Sequence, residues 1–258
     1  MKRADYGRFV AVWSGRALAL ALGYGFGLVA QGADGKEDMT PAEALLQKVE
    51  PLVIGHRGYP AFAPENTIAS FRLALAAGVD LVELDYHLSK DGVPVVIHDD
   101  DLDRTTDAPI RWGGKKIRVS SRNASELIEL DAGTWFGPAH RGIRLPLLSE
   151  ALEAIQSSGG VTLIESKSGS ATACVQLLQE RGLINRVVVQ SFNWGYLREF
   201  HSLAPTQVLG ALGPPGTRDG RKLEESEKVL GPAWIAEAES TGARVIAWNK
   251  QVTGASVA

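Results

Sequence analysis

Cysteine is nearly absent. A single one, Cys174, stands in 258 residues, which leaves no partner for an internal disulfide and no thiolate set for a metal. A basic surplus is missing too: Lys plus Arg number 27 against 30 for Asp plus Glu, a formal net charge of −3. Binding driven by nucleic-acid phosphates needs surplus positive charge, so no nucleic-acid partner is expected. The uncharged run at residues 17–30 covers 14 positions, short of the roughly 20 that a membrane span requires. No stable membrane span is therefore expected in the mature chain. Internal repeats and low-complexity tracts are lacking. What remains is 45% hydrophobic and 22% charged residues, ordinary values for a folded globular chain, with five histidines and many carboxylates as the candidate chemistry.

The N-terminus reads as a leader. Lys2, Arg3, Arg8 and Arg16 precede the apolar run, and Ala30-Gln31-Gly32 puts small residues at the two positions a signal peptidase checks. A buried first helix is the blander reading, but Gly23, Gly25 and Gly27 weaken it. Residues 1–32 are thus expected to be a signal peptide for export to the periplasm or beyond the cell, and residues 33–50 a linker. No cysteine follows the run, so a lipid-anchored form is not supported.

From residue 52 onward, short β-rich runs alternate with helical stretches. Strands are expected at residues 52–55, 81–88, 93–98, 161–166, 186–192, 207–211 and 244–248, several of them continuously apolar as in a sheet buried on both faces. Ile68, Phe71 and Leu75 give a helix stripe that Gly78 ends. The alternation predicts an α/β fold with a parallel sheet. Residues 99–160 are too many for a bare loop and read as an insertion, centred on about 100–145, with structure of its own.

The polar residues on these strands carry the functional signal. Alternation places Glu83 and Asp85 on one face, with Val82 and Leu84 on the other. Two buried carboxylates side by side repel and resist desolvation. A divalent cation resolves the conflict, and oxygen ligands suit Mg²⁺ or Ca²⁺. Glu165 and Lys167 share a face of the 161–166 strand, and His56 and His98 close two others. Each lies near a strand's C-terminal end, the rim on which a β/α barrel builds its active site. Any one of them has a structural reading, which is preferred for His87, His140 and His201; the joint arrangement is far more specific.

These residues resemble the glycerophosphodiester phosphodiesterase family. The matching text is His56-Arg57-Gly58, Pro64-Glu65-Asn66-Thr67, Glu83-Leu84-Asp85, Asp91-Gly92, His98-Asp99, Leu102-Asp103-Arg104-Thr105-Thr106, Leu130-Asp131-Ala132-Gly133, Ile164-Glu165-Ser166-Lys167 and Ser191-Phe192, all in family order. Leu147 and Ser166 depart from the usual pattern without removing a catalytic group. The resemblance implies a TIM-type (β/α)8 barrel that hydrolyses small-molecule glycerophosphodiesters to an alcohol and sn-glycerol 3-phosphate. It implies Glu83, Asp85 and Glu165 as ligands of one divalent cation, His56 and His98 as the acid–base pair, and Arg57 and Lys167 as phosphate-binding groups. Which histidine is acid, and whether water or a glycerol hydroxyl attacks, stays open. Related readings are a phosphatidylinositol-specific or sphingomyelinase D type barrel phospholipase, and an inactive truncated binding protein. Eight strands make such a barrel, and seven are legible in residues 51–258. The barrel is therefore expected to stop before the eighth strand, leaving unpaired edges at residues 52–55 and 244–248.

Overall fold

The computed structural model describes residues 39–218 and 220–249, together with the backbone of residues 9–13. The proposed cleavage site and the apolar run at 17–30 lie outside the described residues. In chain order the elements are β1 (Phe9–Trp13), α1 (Pro41–Leu46), β2 (Ile54–Gly55), α2 (Ile68–Ala76), β3 (Leu81–Leu88), β4 (Pro94–Val96), α3 (Ala108–Trp112), α4 (Ala124–Leu127), α5 (Leu148–Gln156), β5 (Val161–Ser166), α6 (Thr172–Glu180), β6 (Val188–Ser191), α7 (Trp194–Leu203), β7 (Val208–Gly213), the hairpin β8 (Thr217–Arg218) and β9 (Arg221–Lys222), α8 (Pro232–Glu239) and β10 (Val245–Asn249).

The main sheet runs in the order β1-β10-β7-β6-β5-β3-β2. From β2 to β10 every pairing is parallel, six strands in all, curled into part of a barrel with helices between them. The alternation of side chains explains its two faces. Val82, Leu84 and Tyr86 of β3, Ile164 of β5, Val189 of β6 and Leu209 of β7 share one core with Phe71, Leu152, Ile155, Leu178 and Phe200 of the helices. Burying each such side chain contributes roughly 1.5–3 kcal/mol. On the other face, at the strands' N-terminal ends, Leu81, Leu163, Val188, Val208 and Val245 pack with Ala42 and Leu45 of α1. That helix floors the barrel. Its start is fixed by Thr40, whose side chain accepts from the Glu43 amide, and by Pro41 in the first turn.

Two strand expectations change. Residues 93–98 do not supply a parallel barrel strand. Pro94–Val96 turns back antiparallel on β3, with Tyr86 opposite Val96 and Leu88 opposite Pro94. Only five residues, 89–93, separate the two strands, and a parallel crossover takes a dozen or more. Gly92 at φ +79 and the Ser89 Oγ that accepts from the Val93 amide close the turn. The edge at β10, expected to be unpaired, carries β1 antiparallel along it, from Phe9 opposite Asn249 to Trp13 opposite Val245. Phe9-Val10-Ala11-Val12-Trp13 is rich in strand-favouring residues. At the other edge, β2 pairs with β3 alone among the described strands.

The reversal of β4 matters for the site. It returns the chain along β3, so that the Ile97 amide donates to the Asp85 carbonyl at 3.0 Å and His98 arrives beside the carboxylates. The following insertion has its own core of Val95, Ile97, Leu102, Val119, Leu127 and Leu130.

Candidate active site

The parallel register sets Asp85 directly opposite Glu165 and Glu165 opposite Gln190. Glu83 lies one step below on the same face of β3. Ligand oxygens of Glu83, Asp85 and Glu165 fall within 4.8 Å of one another, and all three residues are buried. Burial, then the neighbouring Asp85 and Glu165 carboxylates, pushes Glu83 well above the usual carboxylate range. Burial also raises Glu165, with Asp85 adding to it against the pull of Lys167. Asp85 behaves otherwise: burial pushes it up, but Lys167, His98, Arg57 and the Asn66 amide outweigh that and hold it down.

The cations come from the ends of β2 and β5. Arg57 sits in the turn after β2 at φ +55, its amide donating to Glu83 Oε2 at 2.7 Å and its Nε 3.4 Å from Asp85 Oδ2. Gly58 makes this turn possible. At φ +89 any Cβ there would lie 2.4 Å from Ser70 Oγ. The Lys167 amide donates to the Tyr86 carbonyl at 3.1 Å. Its ammonium lies 3.0 Å from Asp85 Oδ1 and pairs with Glu165 Oε1. Asn66 secures Asp85 twice: its Nδ2 donates to Oδ2 at 2.8 Å, and its Oδ1 accepts from the Asp85 amide at 3.1 Å.

The histidines flank this cluster. His56 Nε2 is 4.0 Å from Glu83 Oε2. Burial, with Arg57, Lys167 and His98, pushes its pKa below the ordinary histidine value against the opposing pull of Asp85. His98 Nδ1 bonds Asp99 Oδ1 at 2.7 Å. Asp99 in turn takes Arg104 Nε at 2.6 Å, and Arg104 reaches Glu65 through two bonds of 2.9 and 2.8 Å. Glu65 closes the loop by accepting from Arg57 at 2.9 Å.

All seven sequence-predicted residues therefore meet at one rim. The supporting set of Glu65, Asn66, Asp99 and Arg104 was legible only as motif text; the order of those motifs was the signal that could have assigned them. The remaining histidines make other contacts. His87 is held between Ser168 Oγ and the His98 carbonyl, each at 3.0 Å. His140 packs edge-on against Phe136, and His201 lies against Gly242.

The donor set fits a hard divalent cation. It consists of three carboxylates, of which Glu83 Oε1 is buried without a hydrogen bond. Carboxylates, cations and imidazoles gathered at the C-terminal rim of parallel strands form an enzyme-like site whose groups suit hydrolysis of a phosphodiester. A family model described as the glycerophosphoryl diester phosphodiesterase family matches residues 56–251, and the chain belongs to that family. YhdW of Bacillus subtilis is 34% identical over 224 residues, covering 80% of this chain and 89% of that protein. The glycerophosphodiester phosphodiesterase of Caldanaerobacter subterraneus subsp. tengcongensis is 39% identical over 167 residues, 62% of this chain and 66% of the relative. Among solved structures, an Oleispira antarctica phosphodiesterase in complex with the product sn-glycerol-3-phosphate matches with TM-score 0.62 at 32% identity, over 75% of this chain and 72% of that one. The glycerophosphodiester phosphodiesterase of Agrobacterium tumefaciens matches with TM-score 0.58 at 28% identity, over 75% and 84%.

Proposed function

We propose that this chain hydrolyses glycerophosphodiesters to an alcohol and sn-glycerol 3-phosphate, with His56 and His98 as the acid–base pair and one divalent cation, Mg²⁺ or Ca²⁺, held by Glu83, Asp85 and Glu165. The observation that carries the reading is the placement of both histidines beside a buried three-carboxylate cluster that is flanked by Arg57 and Lys167. A bound cation supplies charge neutralisation for the phosphate oxygens. Arg57 and Lys167 add two fixed positive charges at the same place, where the transition state gains negative charge.

The histidines divide the proton work. His56, held below its ordinary pKa, is unprotonated near neutrality and suits removal of a proton from the attacking hydroxyl. His98 is oriented by the Asp99 carboxylate at Nδ1, which turns Nε2 outward and suits delivery of a proton to the leaving alcohol. The test is hydrolysis of a glycerophosphodiester panel after exhaustive chelation and after return of Mg²⁺ or Ca²⁺, reading sn-glycerol 3-phosphate. Turnover that needs the cation, together with a loss of about 10²–10⁴ in H56A and H98A, supports the reading. Cation-independent turnover, or products without glycerol phosphate, overturns it. We also propose that residues 1–32 direct export and that the mature chain starts near Ala33, a cleavage that would remove β1 from the β10 edge. N-terminal sequencing from the native host checks it, and an intact Met1 on a cytoplasmic protein refutes it.

A further inference from the structure

A cavity of about 610 Å³ opens at the ends of β5, β6 and β7, directly beyond Glu165 and Lys167. Its volume far exceeds what a glycerol unit fills, so it suits the other arm of the diester, the alcohol head group. Its walls are mainly polar. Three cations line it, Lys167, Arg198 and Arg218, against two carboxylates, Glu165 and Glu237. Two of the cations are committed. Lys167 pairs with Glu165 and Asp85. Arg218 pairs with Glu237 at 2.7 Å and stacks over Trp234 at 4.5 Å. Arg198, exposed on the second turn of α7, pairs with no carboxylate among the described residues. The unspent positive charge of the cavity is therefore its own. The start of α7 lines the same space through Trp194 and Gly195, with Asn193 capping the helix by accepting from the Tyr196 amide at 3.2 Å.

We propose that this cavity is a head-group subsite and that Arg198 makes it selective for glycerophosphodiesters whose alcohol carries an anionic group, a carboxylate or a second phosphate. The inference rests on the phosphodiesterase reading above and specifies its substrate. A cationic ammonium head would meet surplus positive charge in the same place. Phe192 supplies an apolar wall, which suits the carbon stem of either head group and does not offset the charge.

Glycerophosphoserine and glycerophosphoethanolamine differ only in one carboxylate, so their kcat/KM ratio isolates the effect. The wild type is expected to favour the serine diester. Arg198→Gln is expected to lower that ratio about tenfold, the scale of one charged contact at a partly exposed site. Arg198→Glu should invert the preference, and Arg198→Lys should restore most of it. A ratio that R198Q leaves unchanged, whether both activities fall together or neither falls, overturns the subsite. If the wild type turns over neither diester, the catalytic reading fails, and calorimetric titration of glycerophosphoserine still decides the subsite. Weaker binding by R198Q than by wild type upholds it, and equal binding overturns it.

Discussion

His98 Nδ1 and Asp99 Oδ1 stand 2.7 Å apart, and the opposite oxygen of Asp99 is anchored at 2.6 Å by Arg104. The bond from His98, with the Arg104 pairing, holds the Asp99 carboxyl well below its usual range even though burial opposes it. Asp99 is therefore ionised throughout the neutral range. In the proposed mechanism it would keep the proton of His98 on Nδ1 and leave Nε2 to act at the substrate.

Asp99→Asn keeps the shape and removes the charge. Turnover is expected to fall about 10–100-fold, as for other partners that orient a catalytic group. Steady-state kinetics, with circular dichroism as the control for folding, give the answer. Unchanged turnover would remove Asp99 from the machinery.

Asn66→Ala strips Asp85 of two hydrogen bonds, at 2.8 and 3.1 Å, inside a buried site. Leaving buried polar groups without partners costs about 1–3 kcal/mol. Urea unfolding should show that loss, and activity should drop with it because Asp85 is no longer held in place.

Gly58→Ala puts a Cβ 2.4 Å from Ser70 Oγ at a φ of +89. The Ser70 hydroxyl cannot easily yield, since it accepts from the Tyr59 amide at 2.7 Å and donates to the Arg57 carbonyl at 3.1 Å. The substitution is expected to destabilise by more than about 1 kcal/mol. It should also displace the Arg57 amide from Glu83. A melting temperature equal to wild type would show that the turn is not tight.

Asp131 gives a prediction about acid. Its carboxylate accepts from the amides of Gly133, Thr134 and Gly142 at 2.7–2.8 Å and from the Thr134 hydroxyl at 2.8 Å. Burial pushes the carboxyl up, but these bonds outweigh it and hold it at about 2. A depressed folded-state pKa contributes stability that is complete above the ordinary aspartate value and is lost as pH falls through the folded one. Thermal melts from pH 5 down to pH 2 should decline in the wild type more steeply than in Asp131→Asn, which is already weakened at neutral pH. Parallel declines would rule out this carboxylate as a source of acid sensitivity.

The strand periodicity was legible because it is local. Glu83 and Asp85 declare a common face within three residues, and the apolar neighbours Val82 and Leu84 declare the sheet. The reversal of β4 was written just as locally, in a five-residue link too short for a crossover, yet the apolar run at 93–98 reads the same in either direction. The pairing of β1 with β10 was not legible. A β-favouring pentapeptide has no means of naming a partner more than two hundred positions away. The same limit hid the Arg104–Glu65 contact, which joins residues 39 apart. Such ion pairs depend on where the insertion folds back, and no spacing rule encodes that.

The register of β3 against β5 has one more consequence. Asp85 and Glu165 stand opposite each other in the ladder although 80 positions separate them in sequence. A slip of one residue between these strands would turn Glu165 toward the helices and bring an apolar neighbour or a serine into the barrel. Whatever grips both carboxylates at once, Lys167 or a cation, therefore acts as a rivet across the two halves of the sheet. A ligand that binds only the correctly paired strands raises the population of that pairing by mass action. The chemistry at this rim and the alignment of the sheet are thus selected by the same bond.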